Sequence, residues 1–225
     1  MKIQNPQPAA FKPPLGLAEQ IADYVQKQIV SEQLAPGERI PEAQITRELD
    51  VSRGPVREAL QVLSRRHLVD LLPRKGARVS EFGPGDVEAL YDLQEVLINL
   101  LVRRVSDKWN AADLDKFRHL QSALIEAAEQ GEPFELLELS FEFQLTACEI
   151  AGNSYLTALF VDLHPSFSRA YFRALAAGQD EIRGLEQFVG HLITNIAAGE
   201  VNECERLVHD MSQRQRQVVL ATFSR

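Results

Sequence analysis

Cysteine is scarce: Cys148 and Cys204 are the only two among 225 residues, and no metal-like spacing joins them. A disulfide framework and a cysteine-built zinc site are therefore excluded. Both fall in amphipathic stretches, so buried free thiols in a reducing cytoplasm are expected. Long hydrophobic runs are missing too. No apolar run reaches the ~18 residues that a membrane-spanning helix needs, so no membrane partner is expected. The N-terminus has no apolar core of a secretory signal, so export is not expected. The histidines (His67, His119, His164, His191, His209) include no pair three or four residues apart. Glu205 and His209 are the only approach to the clustered carboxylates and histidines of helical catalysts, and one such pair reads as an ordinary solvated helix face. An enzyme is not expected.

What is present suits a globular chain: 45% of residues are hydrophobic and 25% charged. The net charge of −8 is unevenly spread. Residues 1–14 carry +2, residues 15–81 are neutral and residues 82–225 carry −10. Inside the neutral piece, residues 44–78 carry +4. The positive field is thus local, and the acidic remainder opposes non-specific collapse onto phosphate.

Residues 1–14 hold four prolines and no period, and read as a flexible arm. Helical spacing begins at Leu17 and predicts a first helix ending near Leu34. Ala35-Pro36-Gly37 is a turn, a short second helix follows Pro41, and Ser52 stands where it can cap a third. Val56, Leu60 and Leu63 form that helix's apolar stripe. Two short extended runs, 68–72 and 77–80, flank Pro73-Arg74-Lys75-Gly76 and read as a hairpin. Phe82-Gly83-Pro84-Gly85 reads as a linker. Beyond it the pattern is helical over 86–107, 111–130, 133–150, 153–177, 180–198 and 200–222. Gly131, Gly152, Gly178 and Gly199 mark the helix ends, and Pro165 is expected to kink or split the fourth of these helices. The predicted fold class is mostly α: a winged helix-turn-helix over 15–81, then an all-α helical bundle over 82–225.

Helix, helix, tight turn, helix and a basic-tipped hairpin is the order of a unit that reads double-stranded DNA. Arg53 and Arg57 lie one turn apart on the third helix, opposite its apolar stripe. Gly54 and Pro55 keep the first turn slim. Ser52 and the free backbone N–H groups there suit a phosphate. Arg74, Lys75 and Gly76 form a tip suited to the adjacent backbone or minor groove. Arginine's planar fork pairs bidentately with guanine or phosphate. Taken singly, Arg53, Arg57, Arg65 and Arg66 read as the solvated side of a surface helix. Their combination with the capped turn and the basic hairpin favours DNA.

The run 34–79 resembles the DNA-binding domain of GntR-type regulators. The matching pieces are Pro36-Gly37, Val51-Ser52-Arg53, Pro55-Val56-Arg57-Glu58-Ala59-Leu60 and Arg74-Lys75-Gly76. The resemblance implies DNA contacts by Ser52, Arg53, Gly54, Pro55 and Arg57, with Lys75 and Gly76 from the wing. Two residues depart from it: Gly54 stands where a hydroxyl residue is common, and His67 replaces a usual glycine.

Residues 86–222 resemble the C-terminal domain of the FadR branch, a helical bundle with a ligand pocket, most clearly at Phe143-Gln144 and Ala151-Gly152-Asn153. Members of that branch hold a metal through one Asp and three His. Aligned on Gly152-Asn153 and Gly199-Glu200, those positions are Ser140, Gln144, Val189 and Met211 here, so no metal or other cofactor is expected. Sliding the second half by two residues brings in His191 alone, which makes no site. Gln94, Ser140 and Gln144 fall on apolar helix faces. They are expected either to hold an organic metabolite directly, with His164, Val189 and Met211 beside them, or to satisfy one another and the backbone. The resemblance implies a homodimer on a palindromic operator, usually a repressor, with a small-molecule effector. The alternative is an effector-independent DNA-binding protein whose second domain only dimerises.

Overall fold

The computed structural model describes residues 16–224. The expected arm, residues 1–14, lies outside the described residues. Helices α1 (Leu17–Val30), α2 (Glu42–Glu48) and α3 (Arg53–Arg65) precede strands β1 (Val69–Leu72) and β2 (Gly76–Val79). α1 ends earlier than its periodicity predicts. Ser31 Oγ donates to the Lys27 carbonyl at 2.8 Å, and Leu34 N–H reaches back to the Gln28 carbonyl at 3.1 Å. That return buries Leu34 and closes the helix.

β1 and β2 pair antiparallel, with Val69 opposite Val79 and Leu72 opposite Gly76. The 38–40 segment adds a third edge: Ile40 N–H donates to the Ala77 carbonyl at 3.0 Å, and Val79 N–H to the Glu38 carbonyl at 2.8 Å. Ile21, Val25, Ile45, Val56, Leu60, Leu63, Val69 and Val79 share one hydrophobic cluster. His67, at the bend between α3 and β1, has φ 58°. This is the left-handed conformation that explains why glycine is usual there.

Half of the expected linker, Pro84 and Gly85, is helix. Gly83 is the N-cap of α4 (Pro84–Ser106). Pro84 supplies a preset φ at the first position, and Asp86 Oδ2 accepts the Gly83 N–H at 2.8 Å. Then come α5 (Ala111–Gln130), α6 (Pro133–Ala151), α7 (Ser154–Ala176), α8 (Gln179–Ala198), α9 (Val201–Ala221) and a single 3-10 turn (Thr222–Ser224). Asn110 caps α5 by accepting from Ala112 N–H at 2.9 Å, while Asp113 Oδ2 accepts the Asn110 N–H at 3.1 Å. Gly131, Gly152 and Gly199 end their helices in the left-handed conformation. Gly178 does not: with φ 145° and ψ 175° it is the N-cap of α8, and α7 closes on Ala177. Pro165 does not split α7, which runs through it with Pro165 buried.

α4 packs on α9 and α6, α5 on α6 and α8, and α6 on α7. Their common core includes Leu101, Phe117, Leu124, Leu136, Phe143, Phe160 and Leu192. Cys148 and Cys204 are buried and free, and burial pushes both thiols up to about 11. Among the described residues no helix is long and apolar enough to cross a membrane.

The N-terminal unit and the turn after α9 meet along α7. Val30 of α1 joins the C-terminal core. Arg169 Nη2 donates to the Ser80 carbonyl at 3.2 Å, and its guanidinium lies 4.6 Å from the Phe82 ring centre. Arg173 pairs with Glu32, donates to Thr222 Oγ1 at 2.9 Å and covers the Phe223 ring at 4.1 Å. Burial lowers Arg169 to about 10, which leaves it protonated at neutral pH.

Candidate nucleic-acid interface and buried cavity

The start of α3 and the hairpin tip form one exposed basic face. Ser52, Arg53, Gly54 and Arg57 are exposed, Pro55 is half-buried, and Arg74, Lys75 and Gly76 are exposed. Ser52 occupies the N-cap position, but its side chain accepts no hydrogen bond from the helix. The expected side-chain cap is therefore not made, and among the described residues the hydroxyl has no hydrogen-bond partner. Pro55 has no N–H to leave unpaired, so the first turn keeps a short row of free backbone donors at the positive end of a 13-residue helix. A methyl group built on Gly54 meets nothing within 4 Å, so this turn is open to a partner.

The tip is a tight turn in which Lys75 N–H donates to the Leu72 carbonyl at 3.0 Å. Pro73 is the second residue and Arg74 the third with φ 60°, the pattern of a type II turn. The chemistry of Arg57 includes a residue that periodicity did not single out. Glu42, at the start of α2, lies 3.6 Å from Arg57 Nε, and its Oε1 is 3.1 Å from where a Cβ on Gly76 would stand. One carboxylate thus touches both the reading helix and the wing. Arg57 remains 68% exposed, so this pair is weak and free to exchange. Arg66 does not belong to the face. It donates to Glu19 at 2.8 Å, Asp23 at 2.9 Å and Gln26 at 3.0 Å, and so ties the end of α3 to α1.

Of the residues expected around a ligand, Ser140, Gln144 and Val189 line one cavity of about 80 Å³ among α4, α5, α6, α7 and α8. Its other walls include Ile98, Phe117, Phe143, Tyr171 and Phe188. Gln94 and His164 stand outside that cavity. With Ser140, Gln144 and Tyr171 they line a second space of about 50 Å³. Met211 is not with the others: it borders a third space of about 20 Å³ with Gln94 and Ser212. The one residue on all three walls is Tyr171, which sequence reasoning missed. Gln94, 3% exposed, donates to the Tyr171 hydroxyl. Burial pushes the Tyr171 phenol up to about 12, against the lowering effect of that bond. His164 stacks on Phe141 with ring centres 3.6 Å apart; burial and then nearby Arg66 push it down to about 4.

The donor set does not fit a divalent metal. Ser140 Oγ donates to its own helix at the Leu136 carbonyl, 2.6 Å away, Gln144 offers a neutral amide, and Val189 offers only carbon. Among the described residues no group of three or more His, Cys, Asp or Glu is set to hold a metal ion. Glu205 and His209 do not act together: Glu205 pairs with Arg103, and His209 Nδ1 meets Glu95 at 2.9 Å.

Known proteins share this arrangement. Residues 17–79 match the family described as bacterial regulatory proteins, gntR family, and residues 89–217 match the FCD domain. The Nta operon transcriptional regulator of Aminobacter aminovorans is 30% identical over 183 residues, covering 80% of this chain and 83% of that protein. The regulator YdhC of Bacillus subtilis is 30% identical over 144 residues. That match covers 62% of this chain and 63% of YdhC, so the chain spans less than two thirds of that relative's length. The repressor GlaR of Escherichia coli is 29% identical over 113 residues, 48% of this chain and 50% of that protein. The E. coli McbR/YncC structure superposes with a TM-score of 0.79 over 93% of this chain and 100% of that one at 19% identity, which shows a shared fold. The chain belongs to the GntR family of bacterial regulatory proteins, with a winged helix-turn-helix followed by an FCD domain.

Proposed function

We propose that this protein is a cytoplasmic homodimeric repressor. Residues 15–81 bind a palindromic operator, and residues 82–225 dimerise and sense a small organic metabolite. The observation that carries the DNA assignment is the exposed face of Ser52, Arg53, Gly54, Arg57, Arg74 and Lys75, with no buried role for any of them. Arg53 and Arg57 supply base contacts, while the α3 N-terminus, Arg74 and Lys75 supply phosphate contacts. Repression is supported by the name of the relative GlaR.

The outer face of α4 supports the dimer. Leu93, Val96 and Leu100 are 41%, 66% and 38% exposed and fall on one stripe. Asp86 and Glu88 lie toward its start and Arg104 toward its end. Two α4 helices crossing antiparallel near Val96 cover both stripes and bring each acidic end to the partner's basic end.

The cavity supports sensing over a purely dimerising second domain. Its wall residue Tyr171 lies on α7 between Arg169 and Arg173, which grip the N-terminal unit. A ligand that moves α7 therefore moves the reading face.

The test is operator affinity of Arg57→Ala, using a duplex selected from a random library by the wild-type protein. The loss of a bidentate base contact predicts about 1–3 kcal/mol per half-site, with the dimer intact by sedimentation. Unchanged affinity for the selected duplex would sink the assignment.

A further inference from the structure

The effector cavity defines a ligand class, and this inference rests on the sensing role proposed above. Ile98, Phe117, Phe143, Phe188, Val189 and Leu192 make its walls carbon. No Asp, Glu, Lys, Arg or His lines it. Its single titratable group, the Tyr171 phenol, is neutral across the physiological range because burial pushes it up to about 12. The adjoining space that shares Ser140, Gln144 and Tyr171 adds one titratable side chain, His164, also neutral at pH 7. A carboxylate or phosphate bound here would lose its hydration shell and meet no countercharge. The residues at the family's metal positions cannot supply that charge through an ion, as their chemistry has shown.

Hydrogen-bond capacity is nevertheless concentrated at one wall. Tyr171 accepts from Gln94, which leaves its own O–H free to donate. Among the described residues the Gln144 side chain makes no hydrogen bond, and Gln144 lines both spaces. Ser140 is already committed to the Leu136 carbonyl. Two neutral donors, the Gln144 amide and the Tyr171 hydroxyl, thus belong to residues that line the same two spaces, the larger of which is otherwise walled mostly by carbon.

We infer that the cavity takes an uncharged, largely apolar molecule carrying one carbonyl or hydroxyl oxygen, held by Gln144 and Tyr171 without a metal ion. At about 80 Å³ the slot is roughly half the size of a dry cavity of about 150 Å³ that holds benzene. A ring fits only by pushing the walls apart, and one of those walls is Tyr171 on α7.

The experiment compares matched probes on the full-length protein: acetophenone against benzoate, and 2-pentanone against pentanoate. Each is measured by calorimetry and thermal unfolding, with and without added zinc or nickel. The neutral member of at least one pair is expected to bind at least tenfold more tightly than its carboxylate and to raise the unfolding midpoint, with no effect of metal. Gln144→Leu, close in size, is expected to weaken the neutral probe at least tenfold while leaving the unliganded midpoint unchanged or higher. Tighter binding of either carboxylate, a requirement for the metal, or no binding by any probe overturns the inference. Unliganded operator binding is measured in parallel. If it is retained while the neutral probes fail, the ligand class alone is wrong; if it is lost, the regulator reading falls as well.

Discussion

Glu42 shows how much a single side chain can carry at the exposed basic face. It holds Arg57 loosely at 3.6 Å and crowds Gly76, so it links the reading helix to the wing without burying either. Two neighbouring positions are tuned away from the family habit, and each gives a test. Gly54 has open space where its Cβ would stand, so Gly54→Thr is accommodated and places a hydroxyl at the helix start. One new hydrogen bond to phosphate is worth about 0.5–1.5 kcal/mol, so operator affinity by fluorescence anisotropy is expected to rise a few-fold. His67, exposed at φ 58°, holds a conformation that costs an L-residue about 1–2 kcal/mol. His67→Gly is expected to raise stability by about 0.5–1 kcal/mol in denaturant titration, the gain being reduced by glycine's extra freedom in the unfolded chain. The motif made Arg53, Arg57 and the departures at Gly54 and His67 legible before any coordinates. Glu42 was not legible, because its partners come from α3 and β2 and only the tertiary fold brings them together.

Among the elements, α7 joins the buried cavity to the N-terminal unit. Tyr171 faces the cavity, Arg169 and Arg173 face the N-terminal unit, and His164 stacks on Phe141 of α6. Burial, then Arg66, holds His164 down at about 4. The unfolded chain takes up that proton near pH 6.5, and the folded chain only near 4. Stability is therefore lost as pH falls from about 6.5 to 4, by up to about 3 kcal/mol from this group. His164→Phe keeps the stacked ring and is expected to flatten that acid limb in thermal unfolding from pH 7 to 4.5; an unchanged limb would show that other groups set it. The helix ends at Gly131, Gly152 and Gly199 were legible because a glycine that can turn left-handed is a local signal. The inward face of α6 was read only in part: Ser140 and Gln144 line the cavity, but the buried side chains of this helix include Leu136, Leu137, Phe143, Ala147 and Cys148. α4, α5 and α7 all cover this helix, so its apolar stripe is too wide for one helix's periodicity to set its direction. Tyr171 was missed because an aromatic-rich run such as 167–172 reads as plain core.

For the whole molecule, charge and symmetry act together. The acidic bundle confines the positive field to one face per protomer, and the α4 stripe offers a way to pair two such faces. Val96→Glu places a charge at the centre of that stripe, on a residue already 66% exposed, so the fold should tolerate it. Sedimentation is expected to show a monomer with unchanged helix content and much weaker operator binding. Sequence-specific binding by two basic faces is tested by the affinity for the selected palindrome as a function of salt, beside a scrambled duplex. With Arg53, Arg57, Arg74 and Lys75 from each protomer on the DNA, some contacting phosphate and some bases, log affinity should fall with log salt with a slope of roughly −4 to −7. At about 150 mM salt the palindrome should still be preferred at least a thousandfold. Equal affinity for the two duplexes, or a flat salt dependence, would contradict it.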